Sequence, residues 1–393
     1  IVEEMTTDSN RYGGGSLAQK VRNESDGNSL SFQLVSASLY NCASLSVAGY
    51  SDDMAEIEYL HELSAEWWNQ TFIADTSIAN RVYYAVGDIS MGHVAGVFCL
   101  MFNKTVLADL GLDNPYQLVY DGTWDYDTFI TMGQKMCSDT NSDGRYTYLD
   151  DIGIVGQSSM LWALLYSSGE RIASIGDDGY PKLTINSERS VDLITTVVEY
   201  LSDRSHLCSG NDYFSETTTP MVLIEENFSK GKSLFYGTSI GSFSTFVGTV
   251  EDDCGVLPYP KYDLIQTDYY SLISPWTGNA VFIPFGLDSA TQTMTGAVVE
   301  MMGAEGKNGA TAAYCETMLK NQKTRDDDSR AMLDLIIETT GCDLGQIFQF
   351  GKFSTTLQSM IINGDSDFTS KYDSAKGTAQ AAIDETIATF ENK

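Results

Sequence analysis

The chain is short of the groups on which much protein chemistry depends. Its 393 residues include three histidines, His61, His93 and His206, and no Cys-x-x-Cys pair. Cys42, Cys99, Cys137, Cys208, Cys254, Cys315 and Cys342 show no metal-type spacing, so a Cys/His zinc site is not expected. Positive charge is equally scarce: 23 Lys and Arg face 54 Asp and Glu, a net −31 with no basic cluster to offset it. Such a surface repels phosphate backbones and anionic lipid heads, and no nucleic-acid partner is expected. Long apolar runs are also missing. Those at 94–102 and 297–302 fall well short of the roughly 20 residues that cross a bilayer. No charged-then-apolar leader opens the chain, which starts Ile1-Val2-Glu3-Glu4 without an initiator Met and reads as a trimmed product. It carries neither internal repeats nor a low-complexity linker.

What is present suits a large folded core. Apolar residues make up 42% of the chain, with 22 Tyr and 17 Phe, which excludes disorder for the bulk. The length suggests two to three domains, or two lobes sharing one chain. The odd cysteine count leaves at least one thiol unpaired, and Cys99, inside an apolar run, reads as a small core residue. Apolar and β-branched runs predict strands over 31–40, 81–86, 94–102, 233–236, 255–257 and 279–283. Helical spacing predicts helices near 17–21, 103–110, 125–136, from Trp162, and over 190–201, 291–302, 310–320, 329–339 and 370–390. Strands alternating with helices predict an α/β architecture with largely parallel sheets, its lobes joined by several crossovers.

One segment has the spacing of a calcium loop. Asp139, Asn141 and Asp143 stand at positions 1, 3 and 5, Gly144 at 6, the Arg145 carbonyl at 7 and Asp150 at 12. The shorter Asp at position 12 makes bidentate closure harder, and Asp151 is an alternative there. Read otherwise, the segment is a solvated Asp/Asn turn. Enzyme motifs fail. Gly237-Thr-Ser239-Ile-Gly241 matches a nucleophile elbow, yet no His follows His206 to serve it. Gly231-Lys232-Ser233 ends like a phosphate loop but has Glu226 where its first Gly belongs, and no HExxH occurs.

Five tryptophans, Trp67, Trp68, Trp124, Trp162 and Trp276, sit at element edges beside small or polar residues. A flat aromatic with one N–H donor suits the C–H face of a sugar ring, neighbouring polar groups taking the hydroxyls. Each is equally readable as a core residue, and Trp124 also as the anchor of the helix that follows it.

Ordered landmarks over almost the whole chain carry a resemblance. They are Trp67-Trp68 with RVYYAVGDIS, Phe102-Asn103-Lys104, Asn114-Pro-Tyr116 to Asp121-Gly-Thr-Trp124, the calcium-like loop, Val256-Leu-Pro-Tyr-Pro-Lys261, Asn279-Ala-Val-Phe-Ile-Pro284, and Arg325-Asp through Asp343-Leu-Gly345. In these the chain resembles the extracellular solute-binding proteins of bacterial ABC importers, in the carbohydrate branch. The resemblance implies a two-lobed periplasmic-binding-protein-like α/β fold, with 1–104 plus 277–315 as first lobe and 105–276 plus 316–393 as second. Crossovers would lie near 104, near 276 and at the start of the C-terminal helices. It implies capture of a sugar or oligosaccharide in the cleft, delivery to an ABC permease, and no bond made or broken; the 139–150 spacing separately predicts a structural calcium ion. The candidate ligand contacts are Ser38, Trp67, Trp68, Trp124, Trp162, Tyr236, Ser239, Tyr270 and Trp276, with Asp88 as a hydroxyl acceptor. Adjacent Trp67 and Trp68 cannot both face the ligand from an extended segment, so one should stack and the other pack inward. A monomeric, cell-surface lipoprotein follows, its lipid-anchor segment and first strand absent from this sequence. A glycosidase, needing two carboxylates across the cleft, and a glycan-adhesion module that does not close remain as rival classes.

Overall fold

The computed structural model describes residues 15–60, 63–324 and 326–391. The opening Ile1-Val2-Glu3-Glu4, His61 and the landmark residue Arg325 lie outside them. The fold is two-lobed.

The first lobe begins with α1 (Ser16–Asp26), β1 (Val35–Ser38) and α2 (Leu39–Val47). The 31–40 run stays extended only to Ser38. There the hydroxyl accepts the Asn41 N–H, an N-cap contact that commits the next residues to helix. Next come α3 (Gln70–Thr76) and α4 (Gly92–Ala95). Segment 81–86 forms no regular strand: Ala85 makes one isolated bridge to Val281, while Tyr83 and Tyr84 are buried against Phe390 and Phe72.

The second lobe is built on a five-stranded sheet. Its chain order is β2 (Phe98–Asn103), α5 (Lys104–Asp109), α6 (Pro115–Tyr120), α7 (Tyr126–Gly133), β3 (Ile152–Gly156), α8 (Met160–Ser167), the β4 (Ala173–Ile175) and β5 (Pro181–Leu183) hairpin, α9 (Glu188–Ser202), β6 (Leu207–Ser209), α10 (Pro220–Ser229), β7 (Ser233–Ser239), α11 (Ile240–Phe246) and β8 (Cys254–Leu257). Strands lie in the order β6-β3-β7-β2-β8. β6, β3 and β7 are parallel, while β2 runs antiparallel to both β7 and β8, so the sheet is mixed rather than largely parallel. The apolar runs of β3 and β7 are buried on both faces, and Trp124, Phe129 and Phe235 form an aromatic knot with ring centroids 5.2–5.8 Å apart.

The chain then passes through β9 (Ser271–Leu272) and returns to the first lobe as β10 (Asn279–Phe282) and α12 (Ser289–Asn308). β10 pairs antiparallel with β1, from Val35 opposite Phe282 to Ser38 opposite Asn279. The expected 310–320 helix is a short α13 (Ala310–Ala312) continued by a π-helix over Ala313–Lys323. α14 (Asp327–Glu338), β11 (Thr340–Gly341), α15 (Leu344–Ile347), α16 (Phe353–Asn363) and α17 (Phe368–Glu391) complete the described chain. β11 pairs with β9, α14 packs on β8, and α17 lies along α9, α16 and β5.

Because both ladder partners of β2 are second-lobe strands, the chain crosses between lobes before β2, ahead of the boundary expected at 104. The 94–102 run accordingly divides into α4 and β2 on either side of Gly96. Among the described residues no helix is long and apolar enough to cross a membrane.

Candidate ligand site at the lobe junction

Parallel β3 and β7 end on one edge of the second-lobe sheet, at Gly156 and Ser239, and crevices outside such carboxyl ends are where α/β sheets take ligands. Ser239 repeats the device of Ser38: it closes a strand and its hydroxyl accepts the Ser242 N–H to start α11. Opposite this edge lie the end of β1 and the turn before β10. Backbone bonds tie them together: Leu39 N–H donates to the Gly278 carbonyl (3.2 Å), Tyr40 N–H to Pro275 (3.0 Å), Ser274 N–H to Gly96 (2.9 Å) and Ile240 N–H to Val97 (2.9 Å).

The packing here is backbone on backbone. A Cβ on Gly96 would stand 2.5 Å from the Gly278 Cα, and one on Gly92 would stand 2.6 Å from the Asn279 Cβ. Only glycine permits that approach. The result gathers Ser38 and Trp276 on one side and Ser239 on the other. The Trp276 ring lies 4.7 Å from that of Tyr40, tilted by 45°, and both are half-buried. Asn279 donates from Nδ2 to Ser36 Oγ at 3.2 Å. Rings and hydroxyl or amide groups of this kind can cover the faces and the hydroxyls of a neutral polyol.

Asp88 stands at the edge of this junction, half-buried. Its backbone oxygen accepts from Thr311 Oγ1 (2.8 Å) and its carboxylate lies 3.9 Å from His93 Nε2. Burial raises the Asp88 carboxyl pKa against the pull of His93 and Lys307. Burial likewise lowers that of His93 against its bond to the Ser90 carbonyl and the Asp88 charge.

The other expected contacts lie elsewhere. Trp124 is wholly buried and donates to the Pro258 carbonyl at 3.0 Å, so it offers no face to a ligand. Trp68 is 2% exposed, its indole donating to Glu300 at 2.9 Å. Trp67 packs on the same helix, α12, where Gly303 makes room for its ring, and its indole N–H is buried without an acceptor. The pair therefore does not divide between cleft and core: α12 takes both. Trp162 is buried within α8, and Tyr236 is buried in β7 with its hydroxyl donating to Glu225 at 3.2 Å.

Tyr270 belongs to a second contact between the lobes, where α3 meets β11 and α8. Arg171 lies over the Tyr166 ring, 3.2 Å from its centroid, and 5.4 Å from that of Tyr270, donating to the Tyr166 and Glu170 carbonyls. Asp75 of α3 faces this cation and accepts the Cys342 N–H at 3.5 Å. Burial outweighs the attraction of Arg171 and raises the Asp75 carboxyl pKa to about 6.

In the calcium-like loop, Asp139 accepts the Gly144 N–H (2.8 Å), Asn141 that of Asp143 (2.9 Å) and Asp143 that of Arg145 (2.8 Å), with Gly144 at φ 79° making the turn. The two Asp150 carboxylate oxygens accept four bonds from the backbone and hydroxyls of Thr140 and Thr147, which outweigh burial and hold its pKa low. Among the described residues no three His, Cys, Asp or Glu side chains are grouped to hold a metal ion.

Tyr40 and Asn279 were missed from the sequence. No local signal marks them, since the pairing of β1 with β10 brings them to the junction.

No family model and no curated protein matches this chain. Among solved structures, it is similar to UgpB from Mycobacterium tuberculosis, in complex with glycerophosphocholine, at TM-score 0.62 and 16% identity over 94% of this chain and 88% of that one. It is also similar to the maltose/maltodextrin-binding domain MalE from Bdellovibrio bacteriovorus bound to maltotriose (TM-score 0.55, 14%, 96% and 88%). A third is an ABC substrate-binding protein from Listeria monocytogenes in complex with cycloalternan (TM-score 0.56, 13%, 95% and 88%). At these identities the likeness establishes the fold alone, a two-lobed periplasmic-binding-protein-like α/β architecture.

Proposed function

We propose that the protein captures a neutral sugar or oligosaccharide at the lobe junction and hands it to the permease of an ABC importer, without altering it chemically. The observation that carries this is the Tyr40–Trp276 aromatic surface set between two strand ends, Ser38 and Ser239, in a fold whose similar structures hold maltotriose and cycloalternan. Rings would cover sugar C–H faces, and Ser38, Ser239, Asn279 and Asp88 would take hydroxyls. Lobe closure would bury the ligand, and the permease would read the closed state. A monomer held at the cell surface by a lipid anchor fits this role.

Calorimetry with a panel of neutral oligosaccharides tests it, with glycerophosphocholine as the zwitterionic phosphodiester arm. Saturable binding of a sugar that mass spectrometry then finds intact is expected. Binding of glycerophosphocholine alone, or catalytic release of cleavage products, would overturn the proposal. Calcium at the 139–150 loop remains part of it, with Asp139, Asn141, Asp143 and the Arg145 carbonyl as donors. A melting temperature lowered by EGTA and restored by added calcium is expected, because an ion bound only by the folded state stabilises it. An unchanged melting temperature removes the ion.

A further inference from the structure

A groove of about 870 Å³ runs along the second lobe between α17 and the β4–β5 hairpin, away from the junction. Its charged lining balances: Asp178 and Glu391 against Lys182 and Lys376, in a chain of net charge −31. Each charge is also engaged locally. Lys182 pairs with Asp178 at 2.8 Å, Lys376 with Asp373 at 2.7 Å, and Glu391 accepts from the Tyr180 hydroxyl at 2.6 Å. With Asp373 beside Lys376 and Asp384 accepting from Gln380 (2.8 Å), carboxylates outnumber amines, which disfavours an anion and leaves dense donors and acceptors for a neutral polar ligand.

Its floor carries a second sign. Gly377 lies within α17, and a Cβ there would meet nothing within 4 Å. Glycine inside a helix is destabilising relative to alanine, and here neither packing nor a positive φ requires it. What the glycine provides is bare helix backbone that a flat ring can approach. Five residues earlier on the same helix, Tyr372 is held almost parallel to Phe353 (18°, centroids 5.6 Å apart), which fixes the orientation of its ring. The opposite wall is the outer edge of β5. Tyr180 and Thr184 bond across to Gly176 and Ile172 at either end of the hairpin, and Pro181 between them has no N–H to offer an incoming strand. That blunts the edge against pairing with an extended peptide.

We propose that this groove is a second, surface-exposed binding site for a short neutral oligosaccharide, its ring lying on the Gly377 backbone beside Tyr372, with Lys182, Lys376 and Gln380 hydrogen-bonding its hydroxyls. It shares its ligand class with the junction site but none of its residues, so the two readings stand or fall separately. The test is an amide chemical-shift titration of the full chain with maltotriose, raffinose, cellotriose and xylotriose, each to millimolar concentration. At least one should move the amides of Lys376, Gly377 and Gln380. Gly377→Leu should weaken that response more than about tenfold, equivalent to ~1.4 kcal/mol, and leave shifts at Tyr40 and Trp276 unchanged. Gly377→Ala, which favours helix, checks that the fold is intact. The proposal is overturned if no sugar moves these amides, if Gly377→Leu leaves the response intact, or if only an extended peptide elicits it. Silence at Tyr40 and Trp276 alone would instead count against the junction site.

Discussion

At the Gly96–Gly278 crossing the two segments that link the lobes meet backbone to backbone, with no space for a methyl group and no titratable side chain between the two glycines. At the α3–β11 contact the lobes meet through Asp75, Arg171 and two tyrosine rings. A Cβ on Gly341 there would meet side chains rather than backbone, the Tyr166 hydroxyl at 2.1 Å and Asp75 Oδ2 at 3.1 Å. The first contact is fixed by shape alone, and the second can be adjusted by charge and rotamer. A two-lobed binding protein needs both properties: a pivot that does not drift and a contact whose strength can be set.

Four measurements would break or sharpen that contrast. The largest effect is expected at the pivot. Gly96→Ala should cost about 3 kcal/mol or more in denaturant unfolding, since neither backbone can retreat; a loss near zero would mean that the crossing is looser than described. Next is the pH response of the second contact. An Asp whose pKa rises from 3.8 unfolded to about 6 folded lowers stability as pH climbs from about 4 to about 6. The whole effect is at most about 3 kcal/mol at ~1.4 kcal/mol per unit, and it is absent below pH 4. Asp75→Asn should flatten that part of the difference profile and stabilise the protein at pH 7; an unchanged slope would show that Asp75 titrates normally. Third, Trp276→Ala should cost on the order of 1–3 kcal/mol in sugar affinity, whereas Trp68→Ala should lower melting temperature and leave the affinity of the folded fraction intact. Equal losses of affinity from both would contradict their placement. The smallest effect belongs to Gly341→Ala, about 1 kcal/mol, because the added methyl meets side chains rather than backbone; a penalty matching that of Gly96→Ala would erase the distinction.

The sequence signals that worked were local. The face of α9 formed by Leu193, Ile194, Val197, Val198 and Leu201 shows in its spacing, and all five are buried. Asp125 and Asp326 begin their helices by accepting backbone N–H groups, contacts that need no distant partner. Trp124, readable as either an anchor or a ligand face, proved an anchor against Phe129 and Pro258. What misled was apolar character without a partner. The 81–86 run has strand composition, yet aromatic packing rather than a ladder buries it. Of Trp67 and Trp68, expected to divide between ligand and core, Trp68 is buried against α12, some 230 residues later, while Trp67 packs on the same helix and stays half-buried. Ser38, Ser239 and Trp276 were named from the sequence, and the fold places Ser38 and Ser239 as helix N-caps and Trp276 in the turn before β10. Tyr40 and Asn279 were missed, because their proximity to the site is a product of the completed fold.

The pairing of β1 with β10 also sets an order of assembly. The five strands of the second-lobe sheet lie together between residues 98 and 257, whereas the first-lobe sheet must wait for residues 279–282. Contacts between distant segments close slowly, and a chain emerging from its N-terminus offers the second-lobe strands to one another first. Pulse-labelling hydrogen exchange during refolding should therefore protect β3 and β7 amides before those of β1, which would stay exposed until its late partner docks. Simultaneous protection of β1 and β7 would instead mean that the two lobes form as one cooperative unit.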